Sequence, residues 1–296
     1  MRIGAAFLSS SLALGALSAC ATDGKEALPG AVSATSAASA TNTINAVRGG
    51  LAEDSGVEDS VGQILKAKKG QAMTYYRLHD GMHLGTVSEH DAGYALSLIK
   101  LYIATYVIEH GSFEDKYDAL DMIASSSDVT AEKLFEKYPS SIDAIAREYG
   151  LEATKAGKTW GKSKTSTYDV VSFVVKLRQK DETHPVLVAM AHPDAISADG
   201  YAQDYGTAKL DDVVGSKWGW SDGKDRHSSV SFGKDFVVAA SIEGSADELS
   251  AYVKKEITEK NLRRGTVRHE KALRGEPLET SRPAAPTSSA PSARKG

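Results

Sequence analysis

Between residues 92 and 108 the sequence reads AGYALSLIKLYIATYVI, seventeen positions of which only Lys100 carries a charge. A helix that is apolar on nearly every face has to be buried among other elements, so this chain must build its core around it. A lysine inside such a helix then needs a reason. Burial disfavours the ammonium form and makes the amine a usable base near neutral pH. Ser97 precedes it by three residues, which places both side chains on one helical face, one turn apart. A hydroxyl and a desolvated amine in hydrogen-bond reach are a nucleophile and its base. The bland alternative is a lysine that snorkels to the helix edge beside an incidental serine.

The flanks are unlike this core. Met1-Arg2 supplies a positive start, residues 3–19 are uncharged and mostly apolar or small, and Cys20 is the single cysteine of the 296 residues. This resembles a bacterial lipoprotein signal peptide, with residues 1–19 removed and Cys20 left to carry lipid. A plain secretory signal is the competing reading, and a permanent span is disfavoured by the short segment. A lipidated Cys20 implies an extracytoplasmic protein held to the membrane by acyl chains. From 31 to 43 every residue except Val32 and Asn42 is Ala, Ser or Thr, so residues 20–50 are expected to be a flexible tether. Residues 263–296 hold four of the eight prolines and a net charge of +5. They are expected to form a disordered basic tail that either meets anionic lipid or wall polymer or is simply solvated.

Residues 51–262 remain as the folded domain. Helical periodicity is expected from 57 to 70, then strands at 72–78 and 82–87 around His79-Asp80-Gly81. Helices follow at 94–109, 113–124, 129–137, 140–149, 167–178 and 185–191. Strands return at 213–220, 227–232 and 236–242, closed by a helix from 246 to about 260. That order predicts an α+β fold: one antiparallel sheet built from both chain ends with a helical block packed on it.

Composition excludes several classes. With 35 Lys+Arg against 39 Asp+Glu and a net charge of -4, phosphate neutralisation cannot hold a nucleic acid, so none is expected as a partner. One cysteine rules out a cysteine metal cluster within the chain, and the eight histidines show no ligand spacing, so no metal is expected. Gly-rich phosphate loops and a G-x-S-x-G elbow are absent, and no cofactor is expected.

Two further segments join Ser97 and Lys100. Ser125-Ser126-Ser127-Asp128-Val129 lies between two helices, with Asp128 able to cap the second, and Lys217-Trp218-Gly219-Trp220 lies on a late strand. Serine-x-x-lysine, Ser-Asp-x and Lys-x-Gly in that order resemble the penicillin-recognising serine hydrolases, the superfamily of class A β-lactamases and D-alanyl-D-alanine peptidases. KWGW followed by Arg226-His227-Ser228 is similar to a β-lactamase-like group found among actinobacteria. The resemblance covers about residues 57–258.

It implies that Ser97 attacks a carbonyl, Lys100 takes its proton and Ser127 relays a proton to the leaving nitrogen. Lys217 would attract a substrate carboxylate and hold Ser127. The backbone N–H groups of Ser97 and Trp220 would form an oxyanion hole. Val129, Trp218, Gly219 and Trp220 would border the substrate. Two positions depart from the pattern. Val129 lacks the amide of the family's Asn, and Trp218 lacks the hydroxyl of Lys-Thr-Gly, for which Ser221 or Ser228 could substitute. Between Gly150 and Thr167 the only carboxylate is Glu152, with no Asn four residues on. Little or no β-lactamase turnover is therefore expected, and any acyl-enzyme should persist. The implied substrate is a cell-envelope amide or ester such as a peptidoglycan D-alanyl peptide. The alternative is a pseudoenzyme kept as an envelope- or partner-binding lipoprotein.

Overall fold

The structure, a computed structural model, describes residues 64–276. The signal segment, Cys20, the tether and residues 277–296 lie outside the described residues. A five-stranded antiparallel sheet in the order β2-β1-β7-β6-β5 carries the fold. Its strands are β1 (Gln71–Arg77), β2 (His83–Gly85), β5 (Val213–Trp220), β6 (Arg226–Gly233) and β7 (Phe236–Glu243). The first strand of the domain pairs with the last, from Gln71 opposite Ile242 to Arg77 opposite Phe236. The sheet is thus built from both chain ends, as the order of periodicities predicts. Two short strands, β3 (Gly93–Tyr94) and β4 (Lys164–Thr165), form a separate pair.

Both faces of the sheet are covered, and the alternation of β7 shows how. Val237 and Ala239 pack on the helical block, while Val238, Ala240 and Ile242 belong to a second cluster with Leu249, Tyr252 and Val253. The block consists of α1 (Lys100–His110), α2 (Phe113–Ser125), α3 (Asp128–Lys137), α4 (Ser141–Tyr149), α5 (Thr167–Lys180) and α6 (Pro185–Ala191). The other face carries α7 (Ala246–Glu256) and α8 (Glu259–Leu273). Hydroxyl caps start several of these helices: Ser112, Ser127, Ser166 and Thr258 each accept from a backbone N–H of the first turn, and Ser245 forms a capping box with Glu248.

Helix α1 is buried along most of its length and runs through the centre of the block. Its Tyr102 meets Phe173 edge-on at 4.9 Å and shares a hydrogen bond with Thr165 at 2.9 Å. Thr165 bonds Thr154, whose hydroxyl donates to Asp169. This buried chain of hydroxyls ties α1 to α5, while the exposed end of α1 is its C-terminal His110.

Two expectations are corrected. Residues 64–70 are not helical: Ile64 and Leu65 are buried, the Lys66 N–H donates to the Glu256 carboxylate, and Gly70 turns at φ 77 into β1. The domain also does not end at 262. The chain breaks at Ile257 and resumes as α8, whose Gly265 lies against Leu84 and Met82, whose Thr266 accepts from Arg77, and whose His269 donates to the Asp80 carbonyl. A composition rich in charge concealed one docked face of an amphipathic helix.

A buried carboxylate offers a stability test of this frame. Glu89 accepts from Thr74 at 2.9 Å and pairs with His83 at 2.8 Å, and a Cβ on Gly85 would stand 1.9 Å from its carboxylate oxygen. Gly85→Ala is expected to lose about 3 kcal/mol by prising that carboxylate from its partners. Gly93→Ala, with open space around it, should change stability by less than about 0.5 kcal/mol. Chemical denaturation of both variants checks this.

Candidate active site

The approach to α1 is a tight 3-10 turn, Leu96–Ile99. Leu96 sits at φ 52, a left-handed conformation that costs a side-chain-bearing residue about 1–2 kcal/mol. Strain of this kind persists where the surroundings over-determine it, and it stands immediately before Ser97. Ser97 is largely buried, yet it lines a cavity of about 520 Å³ with Leu96, Asp128, Trp160 and Trp220.

Lys100, the first residue of α1, is fully buried. No hydrogen bond joins it to Ser97. Its amine donates to the Ser126 carbonyl at 2.6 Å and to Asp128 Oδ1 at 2.5 Å, with the Ser126 hydroxyl at 3.4 Å. The ring of Trp160 covers it, 4.7 Å to the centroid. Burial pushes the Lys100 amine below the ordinary lysine range, and the Asp128 carboxylate opposes that shift.

The serine facing Lys100 is therefore Ser126 and not Ser127. Ser126 is the left-handed residue (φ 56) that ends α2, and this turn drives its carbonyl and hydroxyl inward. Ser127 is the N-cap of α3 and is engaged there, its Oγ accepting from the Thr130 N–H and hydroxyl. Val129 is 82% exposed and faces away from the cavity. The segment that faces Lys100 is Ser126-Ser127-Asp128, so the residue two positions after the serine beside Lys100 is Asp128, a carboxylate, and not a valine. Serine followed two residues later by an amide or acid was the signal available in the sequence, obscured by three consecutive serines.

Strand β5 brings the second lysine. Lys217 is fully buried, and among the described residues its amine has no hydrogen-bond partner. Burial and the neighbouring Lys100 charge depress it well below the ordinary range, against a smaller pull from Asp128. Gly219 lets the strand close on the Leu96–Ile99 turn: a Cβ there would lie 2.8 Å from Ser97 N and from Leu96 Cβ. Trp218 does not line the cavity. Neighbours on a strand point to opposite faces, and its indole lies in the cluster under α7, donating to the Tyr205 carbonyl at 2.9 Å. Trp220, at the strand's end, does reach the cavity, held by Asp199 at 3.0 Å and by the ring of Tyr201.

The two candidate replacement hydroxyls differ. Ser221 is spent in the β5–β6 turn, donating to Asp225 at 2.6 Å. Ser228, opposite Gly219 in the register, is buried, and its hydroxyl has no partner among the described residues. Sequence reasoning missed two further residues. Arg226 opens β6 and lines the cavity, near Glu243 at 3.2 Å, and Trp160 walls off Lys100. His227 is a structural residue: its Nδ1 donates to the Gly244 carbonyl, its Nε2 meets the Tyr201 hydroxyl, and burial lowers its pKa. Glu152 is exposed on a different groove, so it does not reach Ser97.

No protein-family profile matches the sequence, and no curated protein resembles it in sequence. Solved structures do resemble its fold. An ancestral class A β-lactamase is 14% identical with a TM-score of 0.51, over 72% of this chain and 95% of that one. A halotolerant bacterial β-lactamase is 13% identical with a TM-score of 0.51, over 66% and 94%. A D-alanyl-D-alanine carboxypeptidase from Mycobacterium tuberculosis H37Rv is 16% identical with a TM-score of 0.48, over 72% and 94%. The chain has the fold of the penicillin-recognising serine hydrolases, with an antiparallel α+β architecture.

Proposed function

We propose that this chain is an extracytoplasmic serine hydrolase or acyltransferase, tethered through lipid on Cys20, that opens an amide or ester bearing a carboxylate, such as a peptidoglycan D-alanyl peptide. The observation that carries the reading is that Ser97 lines the cavity beside a strained Leu96, while the buried Lys100 one turn on is bonded to Ser126 and lies near enough to the buried Lys217 for the two charges to repel. Ser97 attacks the carbonyl and its proton passes to the Lys100 amine. Ser126, in place of Ser127, returns a proton to the leaving group. Lys217 and Arg226 attract the carboxylate, and the Ser97 and Trp220 N–H groups receive the oxyanion.

With Trp160 against Lys100 and Glu152 on a different groove, the acyl-enzyme is long-lived. A second reading, a binding lipoprotein, is favoured by the Lys100–Asp128 pair, which occupies the amine. Incubation of the purified protein with a labelled penicillin and a fluorophosphonate, followed by peptide mass spectrometry, tests both. The expected result is a single stable adduct on Ser97, absent in Ser97→Ala. Rapid multiple turnover of a chromogenic cephalosporin would overturn the deacylation argument, and a folded protein unlabelled by both probes would establish the binding role.

A further inference from the structure

We propose that Asp128 is a positioning residue that holds the Lys100 amine as an ammonium turned away from Ser97, so that acylation is throttled by a carboxylate on the rim of the cavity itself. The inference rests on the acyl-transfer reading and names what limits its rate.

The Lys100 amine sits among contacts that favour a cation, led by the Asp128 carboxylate at 2.5 Å. The Ser126 carbonyl and the Asp128 carboxylate carry no proton to donate, so both bonds consume lysine N–H groups. The remaining neighbours are the Ser126 hydroxyl at 3.4 Å and the face of Trp160, whose negative quadrupole favours a charge above it. In acylation the Ser97 O–H bond breaks as Oγ bonds the carbonyl carbon, and the proton forms a new N–H bond on an amine that must offer a lone pair. An ammonium has none. Three charged groups act on it: Asp128 from α3 and Asp199 from the loop before β5 favour the cation, and Lys217 from β5 opposes it.

Asp128 is the member of this set that can be changed without touching the core. Its side chain is 58% exposed at the first turn of α3, so the isosteric Asn keeps the acceptor oxygen and the helix start while removing the charge. Asp128→Asn is therefore expected to release Lys100 as a neutral amine at lower pH. The rate of Ser97 labelling by the penicillin at pH 7 should rise about tenfold for each unit by which the lysine's midpoint falls. The rising limb of the pH–rate profile should move to lower pH, and Asp128→Glu should return it toward the parent.

A second readout does not depend on chemistry at Ser97. In protein carrying ¹³Cε-lysine, the Lys100 resonance, assigned by its loss in Lys100→Met, should titrate at lower pH in Asp128→Asn than in the parent. An unchanged Lys100 midpoint, or labelling of the Asn variant at the parent rate with an unmoved profile, would overturn the proposal. If neither protein labels at any pH, the acyl-transfer reading fails by itself, and the lysine titration still decides whether Asp128 governs Lys100.

Discussion

Lys217→Met should give a more stable protein that no longer labels at Ser97. The Lys217 amine is fully buried without a hydrogen-bond partner among the described residues, and it is repelled by the Lys100 charge. A buried amine in that condition carries a desolvation cost that the smaller pull of Asp128 only partly offsets. Methionine has similar length and volume, fills the same slot and removes the cost, so the gain should be about 2 kcal/mol at neutral pH. The pH dependence gives the sign of the cause. With the amine depressed in the folded state, the folded chain binds fewer protons there than the unfolded one, and parental stability rises with pH through that window. The advantage of methionine is therefore full below the depressed value and fades as pH approaches about 10.4.

On the proposed acyl-transfer mechanism labelling should fall about 10³-fold, because the cation assigned to draw the carboxylate and neutralise developing charge is lost. Denaturant titrations from pH 6 to 10 with parallel mass-spectrometric labelling measure both effects. A variant less stable than the parent would show that Lys217 is held by the fold and not by function. A stabilising and inactivating substitution would mark the lysine as a functional burden that the scaffold carries.

Gly219→Val is expected to have the opposite profile, loss of both stability and labelling. A single Cβ there would already stand 2.8 Å from Ser97 N and Leu96 Cβ and 2.9 Å from the Ser228 hydroxyl. Backbone atoms of the Leu96–Ile99 turn cannot yield as a flexible side chain would, so β5 must move outward. Destabilisation of about 3 kcal/mol follows from overpacking. Even a displacement of about 1 Å separates the N–H groups of Ser97 and Trp220 from the position a developing oxyanion occupies, enough for a loss of about 10²-fold or more in labelling rate. Gly223, in the β5–β6 turn, faces only the end of the Asp225 side chain at 3.4 Å. Gly223→Ala should leave both measurements unchanged. Comparable effects at the two glycines would show that closeness to Ser97 is not what β5 provides.

Much of the architecture could be read directly. The strand and helix periodicities give the sheet its two sources, and the expected strands at 72–78, 213–220, 227–232 and 236–242 match β1, β5, β6 and β7 to within two residues. Helix α1 with Lys100 at its buried start was equally legible, because a run of apolar residues has no other place to go. The C-terminal helix α8 was not: its charge resembles that of a solvated tail, and its docking depends on Gly265 meeting Leu84 and Met82, residues far away in the chain.

At the site the division is finer. Ser97, Lys100, Lys217 and Gly219 stand out in sequence because their types are unexpected or permissive for their positions. Ser126 displaces Ser127 because one residue at the end of α2 adopts positive φ and reverses which hydroxyl points inward. Trp218 leaves the cavity and Trp220 enters it because strand parity sends the first to the far face, while the strand's end frees the second. Local patterning, set by neighbours within a turn or a pleat, determined the elements, their order and the buried lysine. Which side chain each element turns toward Ser97, and the pairing of Asp128 and Trp160 with Lys100, were decided only by tertiary contact, because a single backbone dihedral or a long-range approach leaves no periodic trace in the sequence.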